Sequence, residues 1–99
     1  MDFEFINLIS LKDNRQYSLE TENVVSLIDL GNKVYIELIP NEIDTVVKLD
    51  QVFYSLEDIL LTVSFKGRVF TLICIYSHYS TLSSGNIVFC FELFLNYKG

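Results

Sequence analysis

The final third of the chain alternates short apolar runs with polar breaks. Runs at 59–65, 69–76 and 87–95 are rich in β-branched and aromatic residues, and they are separated by Lys66-Gly67 and by the polar stretch 77–86. Short runs of this composition, bounded by Gly, Ser and Asn, predict β-strands. In 69–76 and 87–95 the residues on both faces are apolar. We therefore expect both faces of these two strands to be covered.

The break at Lys66-Gly67 predicts a β-hairpin with a two-residue loop. Glycine supplies the positive φ that such turns need. This loop length also creates one continuous apolar face, and it fixes the register of the two strands. The predicted pairs are Phe65 with Arg68, Val63 with Phe70, Leu61 with Leu72 and Ile59 with Cys74.

A second hairpin is predicted around residues 31–33. A three-residue loop is favoured because it pairs apolar residues with each other, Leu30 with Val34 and Ile28 with Ile36. A two-residue loop gives mixed pairs, Leu30 with Lys33 and Ile28 with Tyr35. The competing interpretation is a helix over 19–30, capped by Ser18 and ended by Gly31. The density of Val and Ile and the convincing partner run 34–38 favour the strand.

The remaining segments extend the β pattern. Runs at 3–9 and 16–19 flank a turn at 12–15, Pro40-Asn41-Glu42 breaks the chain, and 45–49 is a short strand. Residues 55–58 resemble a capping box for a single helical turn. We predict one domain, 1–99, that is all-β, with seven or eight strands in a mainly antiparallel meander forming a small barrel or a two-sheet sandwich. The alternative is an α+β fold with one helix near 19–30.

Charge is concentrated in the middle of the chain. The net charge is −6, and residues 20–58 hold nine carboxylates against two lysines. Such a segment disfavours nucleic acid, whose binding rests on Lys and Arg neutralising phosphates. It would attract a basic protein surface, although the simplest interpretation is a solvated face that keeps an apolar protein soluble.

Candidate chemistry is sparse. The one histidine is His78, and Cys74 lies four residues earlier, about 13 Å away along a strand. If a loop spans 79–85, Cys74 pairs with Cys90, most simply as two small core residues. A register shift of two residues would make them diagonal neighbours. Zinc-ligand spacing and phosphate-binding glycine loops are absent from the sequence. We predict no metal, no cofactor and no enzymatic activity.

A partner-binding surface is the remaining functional signal. The segment 76–86 combines Tyr, His and Leu with several Ser, a composition typical of binding loops. The equal alternative is a merely flexible polar loop. With the acidic residues beside predicted turns, the candidate binding residues are Tyr76, His78, Tyr79, Leu82, Glu42, Asp44, Asp50, Glu57 and Asp58.

These features favour a small acidic intracellular protein that binds and neutralises another protein by covering its surface. Immunity proteins, antitoxins and phage anti-defence inhibitors are proteins of this kind, and the likeness is one of composition. The start of the chain lacks the basic and apolar stretches of a signal peptide, so we expect cytoplasmic residence and reduced thiols. The alternatives are a β-barrel that binds a small apolar ligand and a homo-oligomeric accessory subunit, such as a homodimer.

Overall fold

The computed structural model describes residues 3–39 and 57–93. Within these residues, seven antiparallel strands form one sheet, and the single helical element is a three-residue 3₁₀ turn, Thr21–Asn23. The predicted all-β antiparallel fold is confirmed. The strands are β1 (Phe3–Ser10), β2 (Gln16–Leu19), β3 (Val24–Asp29), β4 (Lys33–Leu38), β5 (Asp58–Phe65), β6 (Arg68–Thr81) and β7 (Ile87–Leu93).

The strand order requires the sheet to curl. It runs β2-β1-β5-β6-β7-β4-β3, so a central three-stranded meander is flanked by two hairpins. The two edge strands, β2 and β3, are consecutive in the chain and are joined only by residues 20–23. The step from residue 19 to residue 24 can span about 18 Å. In a flat seven-stranded sheet the edges would lie about 29 Å apart. In the described residues, the strands therefore form a single curled sheet where a small barrel or a two-sheet sandwich was predicted.

The concave side of this sheet, called the inner face below, holds the core. Every strand contributes alternate side chains to it, and many of them are fully buried. Cross-strand pairs on this face include Ile6 on β1 with Val63 on β5 and Val34 on β4 with Phe91 on β7. Because the curl brings this face against itself, the seven described strands can bury a common core within one sheet.

The β5–β6 hairpin has the predicted register. All four predicted pairs, from Phe65 with Arg68 to Ile59 with Cys74, are present. Lys66 and Gly67 both have positive φ, 50° and 78°. Positive φ at both central residues defines the type I′ turn, whose twist matches that of the flanking strands.

The β3–β4 hairpin uses the register that matched less well by hydrophobicity. The strand interpretation is confirmed and the helix over 19–30 is not found, but the predicted three-residue loop is wrong. The Leu30 amide donates to the Lys33 carbonyl at 2.8 Å, and Ile28 lies opposite Tyr35. Gly31, with φ of 87°, takes the first central position of a two-residue turn, as type II′ geometry requires. Turn chemistry outweighs apolar matching here, so Ile28 faces outward.

The β6–β7 hairpin also departs from its predicted register. Cys74 pairs with Leu93 and His78 pairs with Cys90, with a register shift between Tyr76 and His78. The extra residue of this β-bulge moves the following side chains to the opposite face. The predicted pairing of the two cysteines, direct or diagonal, is therefore wrong: Cys74 lies in the core, and Cys90 lies on the outer face. Three other predicted features, the break at 40–42, the strand at 45–49 and most of the turn at 55–58, lie outside the described residues.

Candidate binding pocket and the predicted site residues

An apolar pocket opens at the end of the sheet that carries the turns after β3 and β5, called the pocket end below. Its volume is about 280 Å³. The inner faces of four strands supply its walls: Phe3 from β1, Val63 and Phe65 from β5, Phe70 and Leu72 from β6, and Leu27 and Asp29 from β3. The edge strand β3 faces the meander here, as the curl of the sheet requires.

The wall formed by β1 is held in place by a carboxylate. Glu4 sits at the register shift between Phe3 and Phe5, and it accepts hydrogen bonds from the Gly67 amide at 2.9 Å and the Ser64 hydroxyl at 3.2 Å. The Gly67 bond is the main reason that the pKa of Glu4 lies below its usual value. This contact ties the start of β1 to the β5–β6 turn. The rings of Phe3 and Phe65 then lie 5.0 Å apart, centroid to centroid.

The opposite wall carries the pocket's carboxylate. Asp29 Oδ1 accepts a hydrogen bond from the Gly31 amide at 2.9 Å, which supports the type II′ turn. Among the described lining residues, Asp29 is the one charged side chain. Lys66 lies nearby on the other hairpin, with its ammonium 5.3 Å from the centroid of the Phe65 ring. The pocket is thus an apolar concavity with an acidic group on one wall.

Exposed apolar side chains come from the same two hairpins. On β6, Phe70 is 49% exposed and Val69 is 60% exposed. On the β3 side, Ile28 is 49% exposed and Leu30 is 63% exposed. Of these, Phe70 lines the pocket, whereas Val69 and Ile28 lie on the outer face of the sheet. A large apolar group left open in a concavity is typical of surfaces that meet a partner.

Tyr76 belongs to the core and not to a loop. It is 2% exposed, and its ring centroid lies 6.2 Å from that of Phe89 and 5.7 Å from that of Phe91. Strand β6 continues to Thr81, so the hairpin tip is residues 82–86 and begins six residues after Tyr76. The side chain of Tyr76 is therefore not accessible at the surface.

The other predicted residues of this hairpin are exposed, at the end of the sheet opposite the pocket. His78 Nδ1 lies 2.8 Å from the Ser77 hydroxyl. Tyr79 packs its ring 6.1 Å from that of Phe89, and Leu82 begins the tip. The structure thus puts these three side chains at the surface, on strand β6 and its following turn.

The predicted acidic residues divide into two groups. Glu42, Asp44 and Asp50 lie outside the described residues. Glu57 has a side chain that is 7% exposed, accepts a 2.6 Å hydrogen bond from the Ser10 hydroxyl and pairs with Arg15. This contact fastens the β1–β2 turn to the start of β5. Asp58, the first residue of β5, is exposed.

The cysteines are separate, free thiols. Burial raises the pKa of Cys74 to about 12. Burial also raises the pKa of Cys90, with a smaller opposing effect from its hydrogen bond with Tyr35. Neither thiol is activated as a nucleophile. In 3–39 and 57–93, no group of three or more His, Cys, Asp or Glu could hold a metal ion.

The pocket was not found by sequence reasoning, although part of its signal was present. The predicted β5–β6 register places Val63, Phe65, Phe70 and Leu72 on one face, which is correct. The missing wall comes from β3, where the wrong register pointed Ile28 inward instead of Leu27. The closeness of β3 to β5 follows from the curl of the whole sheet, and no local pattern encodes it.

Comparison of the chain with protein-family models, curated proteins and solved structures gave no match. Across the described segments, no helix has both the length and the apolar character needed to cross a membrane. The functional proposal therefore rests on the chain's own geometry.

Proposed function

We propose that this protein binds another protein through the pocket end and neutralises it by covering the bound surface. The observation that carries the proposal is the open apolar pocket whose lining includes the half-exposed ring of Phe70. Interface energy concentrates in a few large apolar groups that fill pockets and are surrounded by contacts that exclude water.

The open mouth of the pocket favours a protein partner over an enclosed free ligand. Small-molecule sites usually enclose about 300–1,000 Å³ and cover most of the ligand. This pocket measures about 280 Å³ and opens to the surface. A concavity of that size suits one large side chain, and the half-exposed ring of Phe70 would contact that side chain.

Charge adds to the proposal. The chain has a net charge of −6, which favours encounter with a basic partner at low salt. We place the protein in the cytoplasm, where Cys74 and Cys90 would stay reduced; both are free thiols in the structure. No catalytic role is part of this proposal.

A capture experiment with matched variants tests the binding surface. Phe70→Asp puts a charge into the pocket at a half-exposed position, whereas Thr71→Asp puts the same charge on the outer face of the same strand. A partner captured by the wild type should be retained by Thr71→Asp and bind Phe70→Asp at least tenfold more weakly, as for an interface hot spot. Both variants should keep the wild-type circular dichroism spectrum.

Equal retention of the partner by a folded Phe70→Asp protein would contradict the proposal. Native mass spectrometry separates the alternatives. A chain that carries a small extra mass, lost in Phe70→Asp, would indicate a ligand-binding protein. A clean multiple of 11.5 kDa with no second protein would indicate a self-associating subunit.

A further inference from the structure

Asp29 is the exposed last residue of β3 and contributes to the lining of the pocket. It alternates with Leu27 along β3 and lies opposite Val34, which is fully buried on the inner face. Asp is common at such turn positions, because its side chain can accept a hydrogen bond from a backbone amide two residues on. The hydrogen bond from the Gly31 amide to Oδ1 gives Asp29 a role in the turn. An asparagine would accept the same bond without the charge, so the turn explains a side-chain oxygen here but not a carboxylate.

No cation within 3–39 and 57–93 forms an ion pair with this carboxylate. Both ion pairs in those residues belong to Arg15, at the other end of the sheet. Lys66 is directed onto the Phe65 ring, and Lys33 lies opposite Glu92 on β7. Arg68 lies opposite Phe65 at the same end of the sheet and also forms no ion pair with Asp29, so the carboxylate can pair with a cation of a partner.

We propose that the pocket accepts a large aromatic side chain of a partner protein, adjacent to a lysine or arginine that pairs with Asp29. This inference rests on the proposed function and specifies the chemistry of its partner. Three of the lining residues, Phe3, Phe65 and Phe70, are aromatic, and tilted aromatic pairs add attraction beyond their buried area. A cation on the same partner surface would complement the one charged residue of the lining.

Three matched fragments test the chemistry directly: phenethylamine, 2-phenylethanol and 3-phenylpropionate, which combine a phenyl ring with a cationic, neutral or anionic group. Each is titrated into the ¹⁵N-labelled full chain while amide shifts of residues 63–72 and 27–31 are followed. Phenethylamine should bind about threefold more tightly than 2-phenylethanol, the size expected for an exposed ion pair. The anionic 3-phenylpropionate should bind most weakly.

The substitution Asp29→Asn removes the charge but keeps a side-chain oxygen that can accept the hydrogen bond from the Gly31 amide. In this variant phenethylamine should bind no better than 2-phenylethanol, while the affinity of 2-phenylethanol stays unchanged. Glu22→Gln is the control, because it removes an exposed carboxylate from the 3₁₀ turn, away from the pocket lining, and it should leave all three affinities as in the wild type.

Equal binding of the three fragments, or a cation preference that persists in Asp29→Asn, would overturn the role of Asp29. Absence of shifts at the pocket with every fragment would overturn the aromatic occupant. Neither result decides the proposed function, which the capture experiment with Phe70→Asp and Thr71→Asp tests independently. Loss of the partner in Phe70→Asp together with equal fragment binding would show a protein-binding pocket that takes a different side chain.

Discussion

At the scale of single residues, carboxylates fasten separate strands of this sheet. Glu4 holds the start of β1 to the β5–β6 turn, and Glu57 holds the β1–β2 turn to the start of β5. Each connects groups more than 40 residues apart in sequence. Two acidic residues, Glu4 and Glu57, therefore have structural roles. From composition alone, both would be interpreted as solvated surface charges.

Glu4 should make stability depend on pH. Because its pKa is lower in the folded protein than its ordinary value of 4.5, its contribution is present above that value and is lost as pH falls through the folded pKa. Glu4→Gln should therefore be less stable than the wild type at pH 7, and the difference should vanish in strong acid. Urea denaturation of both proteins across this range measures it.

Asp13, whose pKa is lowered by Arg15, is present in both proteins. Its titration therefore cancels in the comparison between the wild type and Glu4→Gln. A stability difference that stays constant from neutral to acid pH would show that the Glu4 charge does not contribute.

At the scale of elements, turn chemistry and one bulge set the registers. The β5–β6 turn depends on positive φ at Gly67, and an added Cβ there would meet no atom within 4 Å. The cost of a larger residue would thus come from the backbone conformation alone.

Gly67→Ala should lower the free energy of unfolding by about 1 kcal/mol, the cost of the left-handed region for a residue with a Cβ. Urea denaturation measures this change. Ser83→Ala, an exposed change in the turn after β6, should stay within about 0.5 kcal/mol of the wild type. A Gly67→Ala protein as stable as the Ser83→Ala control would contradict the type I′ assignment.

The bulge in β6 decides which side chains share a face. Before it, Cys74 and Tyr76 point to the core; after it, Tyr79 pairs with Phe89, and His78 moves outward beside Cys90. Strict alternation through 69–81 puts His78 on the face of Cys74, and this is why the predicted cysteine pair failed. The sequence carries no recognisable signal for this bulge, because Ser77 resembles the other polar residues around it.

At the scale of the whole molecule, one curled sheet serves as both layers of the core. Phe89 and Phe91 on β7 are fully buried, and Phe89 lies opposite Ile36 on β4 and Tyr79 on β6. These core residues lie on central strands of the sheet. Truncating one of them should therefore destabilise the entire domain.

Phe89→Ala should cost about 3–5 kcal/mol in unfolding free energy, a large fraction of the 5–15 kcal/mol typical of a domain. Val69→Ala, at an exposed position on the outer face, should change stability by less than about 0.5 kcal/mol. Thermal unfolding followed by circular dichroism compares them. Similar melting temperatures for the two variants would contradict the assignment of Phe89 to a tightly packed core.

The sequence by itself determined the elements. β-branched and aromatic runs, with glycine and asparagine between them, identified the strands in the described residues, and Lys66-Gly67 specified one hairpin to the residue, because these signals are local. Only the tertiary structure decided the two other registers, the burial of Tyr76 and the pocket. Those depend on a bulge at Ser77, on the turn at Gly31 and on the curl that brings Leu27 and Asp29 to the meander. The turn and the bulge are local, but matching of apolar residues does not reveal them. The pocket joins strands distant in sequence, where closure of the sheet, and not the pattern of any one strand, selects the neighbours.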